Sequence, residues 1–408
     1  MCQKQLSTKQ ISVHNIILIL GIIFIAFNLR PAITSVGPLI SMIRVELGIS
    51  NTLAGSLTTL PLLAFGVFSL VAPKMGRKFG NERTIFFAFL TIFTGILLRS
   101  TGLITALFIG TAILGLGIAI CNVIISGIIK DKFPEKLGMM TGIYITSMSI
   151  MAALASGLAV PLAENYSLGW EKSLGVWALL PLIGILIWLP QLKNKHTKIK
   201  SSVSVKSSIW RSSLAWQVTL FMGFQSCIFY CLISWLPEIL YSRGIDIATG
   251  GWLLTVMQFA GLPATLLIPV LASRISNQRP IVASIAILYL VGFTGIFLSG
   301  NMILVVAFII ALGVAQGAGI SLALTLFALR AENAEGAANL SGMAQSGGYS
   351  LAAIGPFFMG YLFDSFQTWT PAFVMFGILC IGLLIAGLGA GRDLYILQSE
   401  QKQAKMKA

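Results

Sequence analysis

Acidic residues are scarce in this sequence, and so is charge altogether. Thirteen Asp and Glu stand against 27 Lys and Arg, there are two histidines, and charged residues make up 10% of the 408 positions. A soluble domain carries about 25%, so a water-soluble globule is excluded. None of the thirteen acids falls clearly within an apolar run. Glu46, Glu164, Glu171, Glu238, Asp246 and Asp364 lie at one set of run ends, and the other seven lie in the opposite loops or the tail. A buried carboxylate for cationic ligands is therefore not expected. His14 and His196 sit at or beyond the ends of apolar runs, and no nucleophile and base are spaced to work together, so no enzyme is expected. The five cysteines are scattered; Cys227 and Cys231 share a helix face, but no His or acid accompanies them as a metal site requires. They read as small buried hydrophobes, and no cofactor is expected.

Apolar residues are abundant, at 56%. They fall in runs of about 20, the length of a helix that crosses a bilayer. We read twelve such spans, approximately 13–44, 50–73, 84–101, 103–129, 137–163, 170–190, 213–241, 247–273, 280–299, 302–329, 337–363 and 369–391. The expected architecture is an all-α membrane protein with a six-helix half over 1–190, a basic linker over 191–212, a second six-helix half over 213–391 and a tail over 392–408. Placing both termini on the cytoplasmic side puts nearly all Lys and Arg inside, as the positive-inside rule demands. The exceptions are Arg44, Arg99, Lys172 and Arg243 outside, and Arg30 within the membrane. The net charge of +14 is thus a matter of topology, and no nucleic-acid partner is expected.

The halves echo one another at an offset of about 200 residues: Lys130 with Arg330, Gly117 with Gly317, Thr141-Gly142 with Ser341-Gly342, and Ala152-Ala153 with Ala352-Ala353. At a slightly different offset Pro73 meets Pro269 and Lys78 meets Arg274. Two pseudo-symmetric parallel halves place a binding site at the midplane between them.

Arg30 is the residue that such a site needs. It lies about 25 Å along a rod of about 45 Å, too deep to snorkel, and its fixed fork of donors suits a carboxylate or another small planar anion. The neighbouring Pro31, Gly37 and Pro38 should loosen this helix and leave carbonyls free to line a cavity, and Asn28 beside them is a further candidate for substrate contact. The competing reading ties Arg30 structurally to carbonyls or an amide on a neighbouring helix. Further polar groups at membrane depth are Asn122, Tyr144, Gln225, Tyr230, Gln258, Gln316, Gln345 and Tyr349. Amides and phenols present donors to a ligand without adding a costly charge, though each serves equally as glue between helices. Trp235 reads either as a wall of the site or as aromatic core. The runs GLG at 115–117 and SGG at 346–348 resemble phosphate loops, but no strand precedes them and they read as packing surfaces.

At this point the chain resembles the major facilitator superfamily. The segment PKMGRKFGNERT, read as the inner loop after the second span, is similar to a degenerate form of that superfamily's loop signature. Gly80 and Arg83 fit, while Arg77 stands where the signature has aspartate. More narrowly, NLRPAITSVGP from Asn28, WLPEIL from Trp235, LGVAQGAG from Leu312 and LSGMAQSGGYSLAAIGP from Leu340 resemble the cyanate and 2-nitroimidazole transporter family. That family often has a proline near the place of Ser126, so the course of the fourth span is left open. The resemblance implies a monomeric secondary transporter in a bacterial inner membrane that moves a small anionic or polar planar solute by alternating access, its partners being the substrate and the bilayer. Coupling is left open between a proton, exchange and simple facilitation. Two alternatives stand beside this reading: a drug exporter of the same fold, and a membrane sensor that binds without transporting.

Overall fold

The structure, a computed structural model, describes residues 19–133, 137–189, 192, 209–331 and 334–396. His14, His196, most of the linker and the tail beyond 396 lie outside the described residues. The first span, Ile19–Leu47 (α1), is helical over 19–28 and then breaks at Leu29 and Arg30. Pro31 has no amide hydrogen and its ring clashes with the preceding turn, so the helix restarts as the short piece Pro31–Thr34 with Arg30 at its N-cap. Gly37-Pro38 breaks it again into a 3-10 turn, Gly37–Leu39, before the helix resumes over Ile40–Leu47.

The remaining helices are long. They are Asn51–Phe79 (α2), Asn81–Arg99 (α3), Ile104–Lys132 (α4), Leu137–Ala163 (α5) and Gly169–Trp188 (α6), then Ser213–Tyr241 (α7), Ile247–Arg274 (α8), Arg279–Leu298 (α9), Met302–Leu329 (α10), Ala334–Phe366 (α11) and Thr370–Ala390 (α12). Eleven of these segments are apolar and long enough to cross a membrane. The twelfth, α11, is long enough but richer in polar groups, with Ser341, Gln345, Ser346, Tyr349 and Ser350 along it. Large apolar side chains such as Leu186, Ile303 and Ile385 face outward, as in a protein solvated by lipid. This is the all-α, two-half architecture expected from the sequence. The fourth span runs as one helix from Ile104 to Lys132.

Small residues set the packing. Gly95 and Gly110 bring α3 against α4 in the first half, and Gly261 and Gly317 bring α8 against α10 in the second, where the equivalent approach in the first half is Gly115 of α4 on Pro61 of α2. The halves meet where α2 packs on α11 and α5 on α8, with α1 facing α7.

Three local expectations need correction. The segment read as a loop after the second span is almost wholly helical: α2 runs to Phe79, α3 starts at Asn81, and Gly80 alone joins them at φ 89°, ψ 153°. Only glycine adopts that conformation readily, so Gly80→Ala is expected to cost about 1–3 kcal/mol. Thermal unfolding of the purified variant should show the loss, with ligand affinity unchanged. Secondly, the carbonyls freed by the breaks in α1 do not line a cavity. Pro38 cannot donate to Thr34, and Ser156 of α5 supplies the hydrogen bond instead, 3.2 Å; the Val36 amide turns to Ile33, and the Ala32 carbonyl is taken by Arg99 Nη1 at 2.5 Å. Thirdly, Arg99, read as an outer-loop charge, is 0% exposed. Glu238 stands near the end of α7 as expected; it is 8% exposed, accepts a hydrogen bond from Ser41 and lies 4.0 Å from Arg44 Nη2.

Candidate binding cavity

A cavity of about 630 Å³ lies between the halves. Its lining runs from Arg30, Tyr230 and Tyr349 at the centre to Gly76, Asn81, Ile129, Phe327 and Ser341, which stand where α2, α4 and α10 end and α3 and α11 begin. It therefore extends toward one face of the bundle, the face that carries Arg83, Arg274, Arg279 and Arg330.

The opposite face is sealed by contacts between the halves. Gly37 lies so close to the Ile233 carbonyl, and Gly55 to that of Pro356, that a Cβ on either glycine would overlap the oxygen. Thr59 donates to the Ala353 carbonyl at 2.7 Å and Ser234 to Thr58 at 2.8 Å. Asp364 at the end of α11 receives the Asn51 amide at 3.2 Å and side chain at 2.8 Å, and the Thr52 amide at 2.7 Å and hydroxyl at 2.6 Å. The carboxylate of one half thus caps the N-terminus of α2 in the other, where helix amides are unpaired and the dipole favours an anion.

Nine of the ten residues singled out in the sequence line this cavity: Arg30, Asn122, Tyr144, Gln225, Tyr230, Gln258, Gln316, Gln345 and Tyr349. Asn28 does not. It is buried on the helical part of α1 and donates to the Phe24 carbonyl at 2.9 Å, one turn back. Trp235 is core rather than wall, with its indole donating to the Pro356 carbonyl at 2.9 Å. Cys227 and Cys231 are buried free thiols against Gly355, as expected of small hydrophobes.

The break in α1 aims Arg30 into the cavity. Its Nη1 donates to the Tyr230 hydroxyl at 3.0 Å, and its guanidinium carbon stands 4.9 Å from the Phe229 ring centre and 5.5 Å from that of Tyr230. Arg30 and Tyr230 are 200 positions apart, so the two repeats each contribute one partner at equivalent places. Tyr349 stands edge-on to Tyr230 at 6.4 Å and to Phe65 at 5.2 Å. These rings hold the cation in a partly aromatic cage. Among the described residues no carboxylate lies within ion-pair distance of Arg30 and no Asp or Glu lines the cavity.

The amides are partly committed. Tyr144 donates to Asn122 Oδ1, Tyr289 to Gln316 Oε1 at 2.7 Å, Gln258 to Ser156 at 3.1 Å across the halves, and Gln345 to Ser341 at 2.9 Å. Each carries further donors or acceptors for a guest. Phe229, Ser156 and Arg99 were missed in the sequence. Arg99 left one signal, as a basic residue standing against the positive-inside bias; nothing local distinguished the other two.

Tyr230→Phe should remove the acceptor of Arg30 but keep its ring in place. Ligand affinity, read by calorimetry on the purified protein, is expected to fall only a few-fold, about 1 kcal/mol. Tyr230→Ala, which also removes the ring, should fall further.

The sequence profile described as Major Facilitator Superfamily matches residues 17–353 and again 226–405. An Escherichia coli protein described as a 2-nitroimidazole transporter is 42% identical over 395 residues, 96% of this chain and 98% of its own. A Bacillus subtilis protein described as an uncharacterized transporter, YycB, is 54% identical over 95% of this chain and 96% of its own. The cyanate transport protein CynX of Escherichia coli is 26% identical over 91% of this chain and 96% of its own. Among solved structures, the nucleoside transporter NupG superposes with a TM-score of 0.72 at 14% identity, over 90% of this chain and 98% of that one. The D-xylose-proton symporter gives 0.69 at 14% identity, over 95% and 99%.

Proposed function

The chain belongs to the major facilitator superfamily, and from that premise we propose that it moves a small planar solute with a negative or oxygen-rich end, bound at Arg30 between the two halves. One observation carries this reading: a guanidinium midway along an apolar segment long enough to cross a membrane, half-buried in a cavity, with the rings of Phe229 and Tyr230 and the Tyr230 hydroxyl but no carboxylate beside it among the described residues. Such a charge is costly at that depth unless an anion or another acceptor compensates it. Cyanate is a small anion. The nitro group of 2-nitroimidazole is neutral overall but presents two coplanar oxygens, much as a carboxylate does, to a fork of N–H donors. What the two named relatives carry therefore shares a feature that Arg30 would recognise. A cationic drug would meet the charge of Arg30 with no acid along the described lining to offset it.

The structure corresponds, on this reading, to one end of an alternating-access cycle, open at the basic face and sealed at the other. If the basic face is cytoplasmic, as the positive-inside rule expects, this is the inward-facing state. Substrate drives the exchange only through its different affinity for the two states. For a monoanion, entry against an inside-negative potential costs about 2.3 kcal/mol per 100 mV, so uptake needs a coupled cation or an exchanged anion, whereas export runs with the field.

The reading is tested by a thermal-shift screen of the purified protein with cyanate, nitrate, benzoate, 2-nitroimidazole and a set of cationic drugs, run beside Arg30→Gln. A ligand at 100 times its dissociation constant stabilises the folded state by about 2.7 kcal/mol. Shifts that vanish in Arg30→Gln support the site. Equal shifts in both proteins make Arg30 structural, and shifts with cationic drugs alone return the exporter reading. Counterflow of the stabilising ligand in proteoliposomes then separates a transporter from a binding protein that does not transport.

A further inference from the structure

Arg99 is the last residue of α3 and is completely buried. One of its nitrogens, Nη1, donates to the Ala32 carbonyl; Nε and Nη2 have no hydrogen-bond partner, and no carboxylate among the described residues is within ion-pair distance. A buried guanidinium so poorly satisfied lowers stability. An apolar side chain of similar length would fill the same space without the desolvation cost, so stability alone does not account for an arginine here.

What it holds is specific. The Ala32 carbonyl is one of those the breaks in α1 set free, because the Val36 amide bonds to Ile33 instead. The turn Pro31–Thr34 that contains Ala32 is capped by Arg30, whose own carbonyl accepts the Ile33 amide at 2.9 Å and the Thr34 amide at 3.0 Å. That turn is tied to α5 by Thr34 to the Ala152 carbonyl, 3.0 Å, and by Ser156 to the Thr34 carbonyl. On the α3 side the tie is Arg99. Fixing the turn fixes the backbone from which the Arg30 side chain enters the cavity.

We propose that Arg99 is a positioning residue for transport: by taking the carbonyl released at the break in α1, its buried guanidinium sets how Arg30 is presented to the substrate. The inference rests on the reading of Arg30 as the substrate-binding group. It accounts for a fully buried second arginine in the half that supplies Arg30, and for its one bond being made to the broken turn.

The test needs no substrate for its first arm. Phenylglyoxal, an arginine-specific reagent, is applied to the purified protein, and the modification rate of Arg30 is followed by peptide mass spectrometry in wild type, Arg99→Met and Arg99→Lys. The expected result is a several-fold change of the Arg30 rate in Arg99→Met, partly restored in Arg99→Lys, which keeps a charged donor for the carbonyl. Thermal unfolding of Arg99→Met should occur at the wild-type temperature or above. Unchanged Arg30 reactivity in Arg99→Met overturns the proposal. So does a protein that no longer folds, because Arg99 would then be serving stability. The second arm measures binding of cyanate and 2-nitroimidazole. Arg99→Met is expected to weaken it about tenfold, and the double variant with Arg30→Lys to bind no more weakly than Arg30→Lys alone, because both act through one guanidinium. If Arg30→Gln binds these probes as well as wild type, the reading of the site fails, while the reactivity arm still decides whether Arg99 positions Arg30.

Discussion

Arg30→Gln is expected to weaken binding of an anionic ligand by a hundredfold or more. Truncating one partner of a desolvated charged pair costs about 2–5 kcal/mol, and no other cation lines the described cavity to take over. For 2-nitroimidazole the same substitution should cost less, about tenfold, since a hydrogen bond from a charged donor to a neutral acceptor is worth about 1.5 kcal/mol net. Arg30→Lys should fall between wild type and Arg30→Gln for both, because it keeps the charge and loses the planar fork. Calorimetric titration of the three proteins with cyanate, benzoate and 2-nitroimidazole reads all of this. An anion that binds equally well to wild type and Arg30→Gln would remove Arg30 from the site and leave the Tyr230 and Phe229 contacts as structural restraints on a buried charge.

Asp364→Ala is expected to open the sealed face. The carboxylate receives hydrogen bonds from Asn51 and Thr52, both backbone and side chain, and these join α11 of one half to the start of α2 in the other. A hydrogen bond to a charged group is worth about 1.5–3 kcal/mol and an anion at a helix N-terminus about 0.3–1 kcal/mol, and they act here only while the faces are together. Losing about 3 kcal/mol from one conformer alone shifts the balance between the two roughly a hundredfold. Gly55→Leu should act in the same direction by a different cause, since any side chain at Gly55 runs into the Pro356 carbonyl. Spin labels at Val45→Cys and Tyr241→Cys, exposed positions near the ends of α1 and α7 on that face, should move apart in both variants. Labels that keep the wild-type separation in Asp364→Ala would assign the seal to the apolar and glycine contacts instead.

The two effects are separable because the residues lie in different parts of the path. Arg30 acts on affinity in a conformer that already admits the ligand, whereas Asp364 acts on how often each conformer is present. A variant of Asp364 should therefore alter the apparent affinity by the change in the binding-competent fraction, and the ligand dependence on Arg30 should persist.

Much of this was legible from residue order. Twelve helices followed from runs of about 20 apolar residues, and most observed boundaries lie within a few residues of those runs because a bilayer imposes the length. The second span was the exception: charges beyond Pro73 read as a loop, but the helix continues to Phe79 because those residues can hold helical hydrogen bonds in water as well as in lipid. Arg30 and the amides and phenols were identifiable because a polar group at membrane depth needs a reason. The repeat predicted a site at the midplane, but whether each of these groups lines it or joins helices was left open by residue order.

Sequence by itself thus determined the helical architecture, the pairing of halves and the polar groups available at the midplane, since each depends on composition along one helix measured against lipid. Tertiary structure decided what no single helix contains. It turned Asn28 to its own helix and sent Arg99 inward to a carbonyl that only a broken α1 exposes. It set Tyr230 and Phe229 of the other half against Arg30, and it closed one face through Asp364 while leaving the other open. These are contacts between segments tens to hundreds of residues apart. Their partners are chosen by where proline breaks and small residues let backbones approach, and that geometry exists only once the helices have packed.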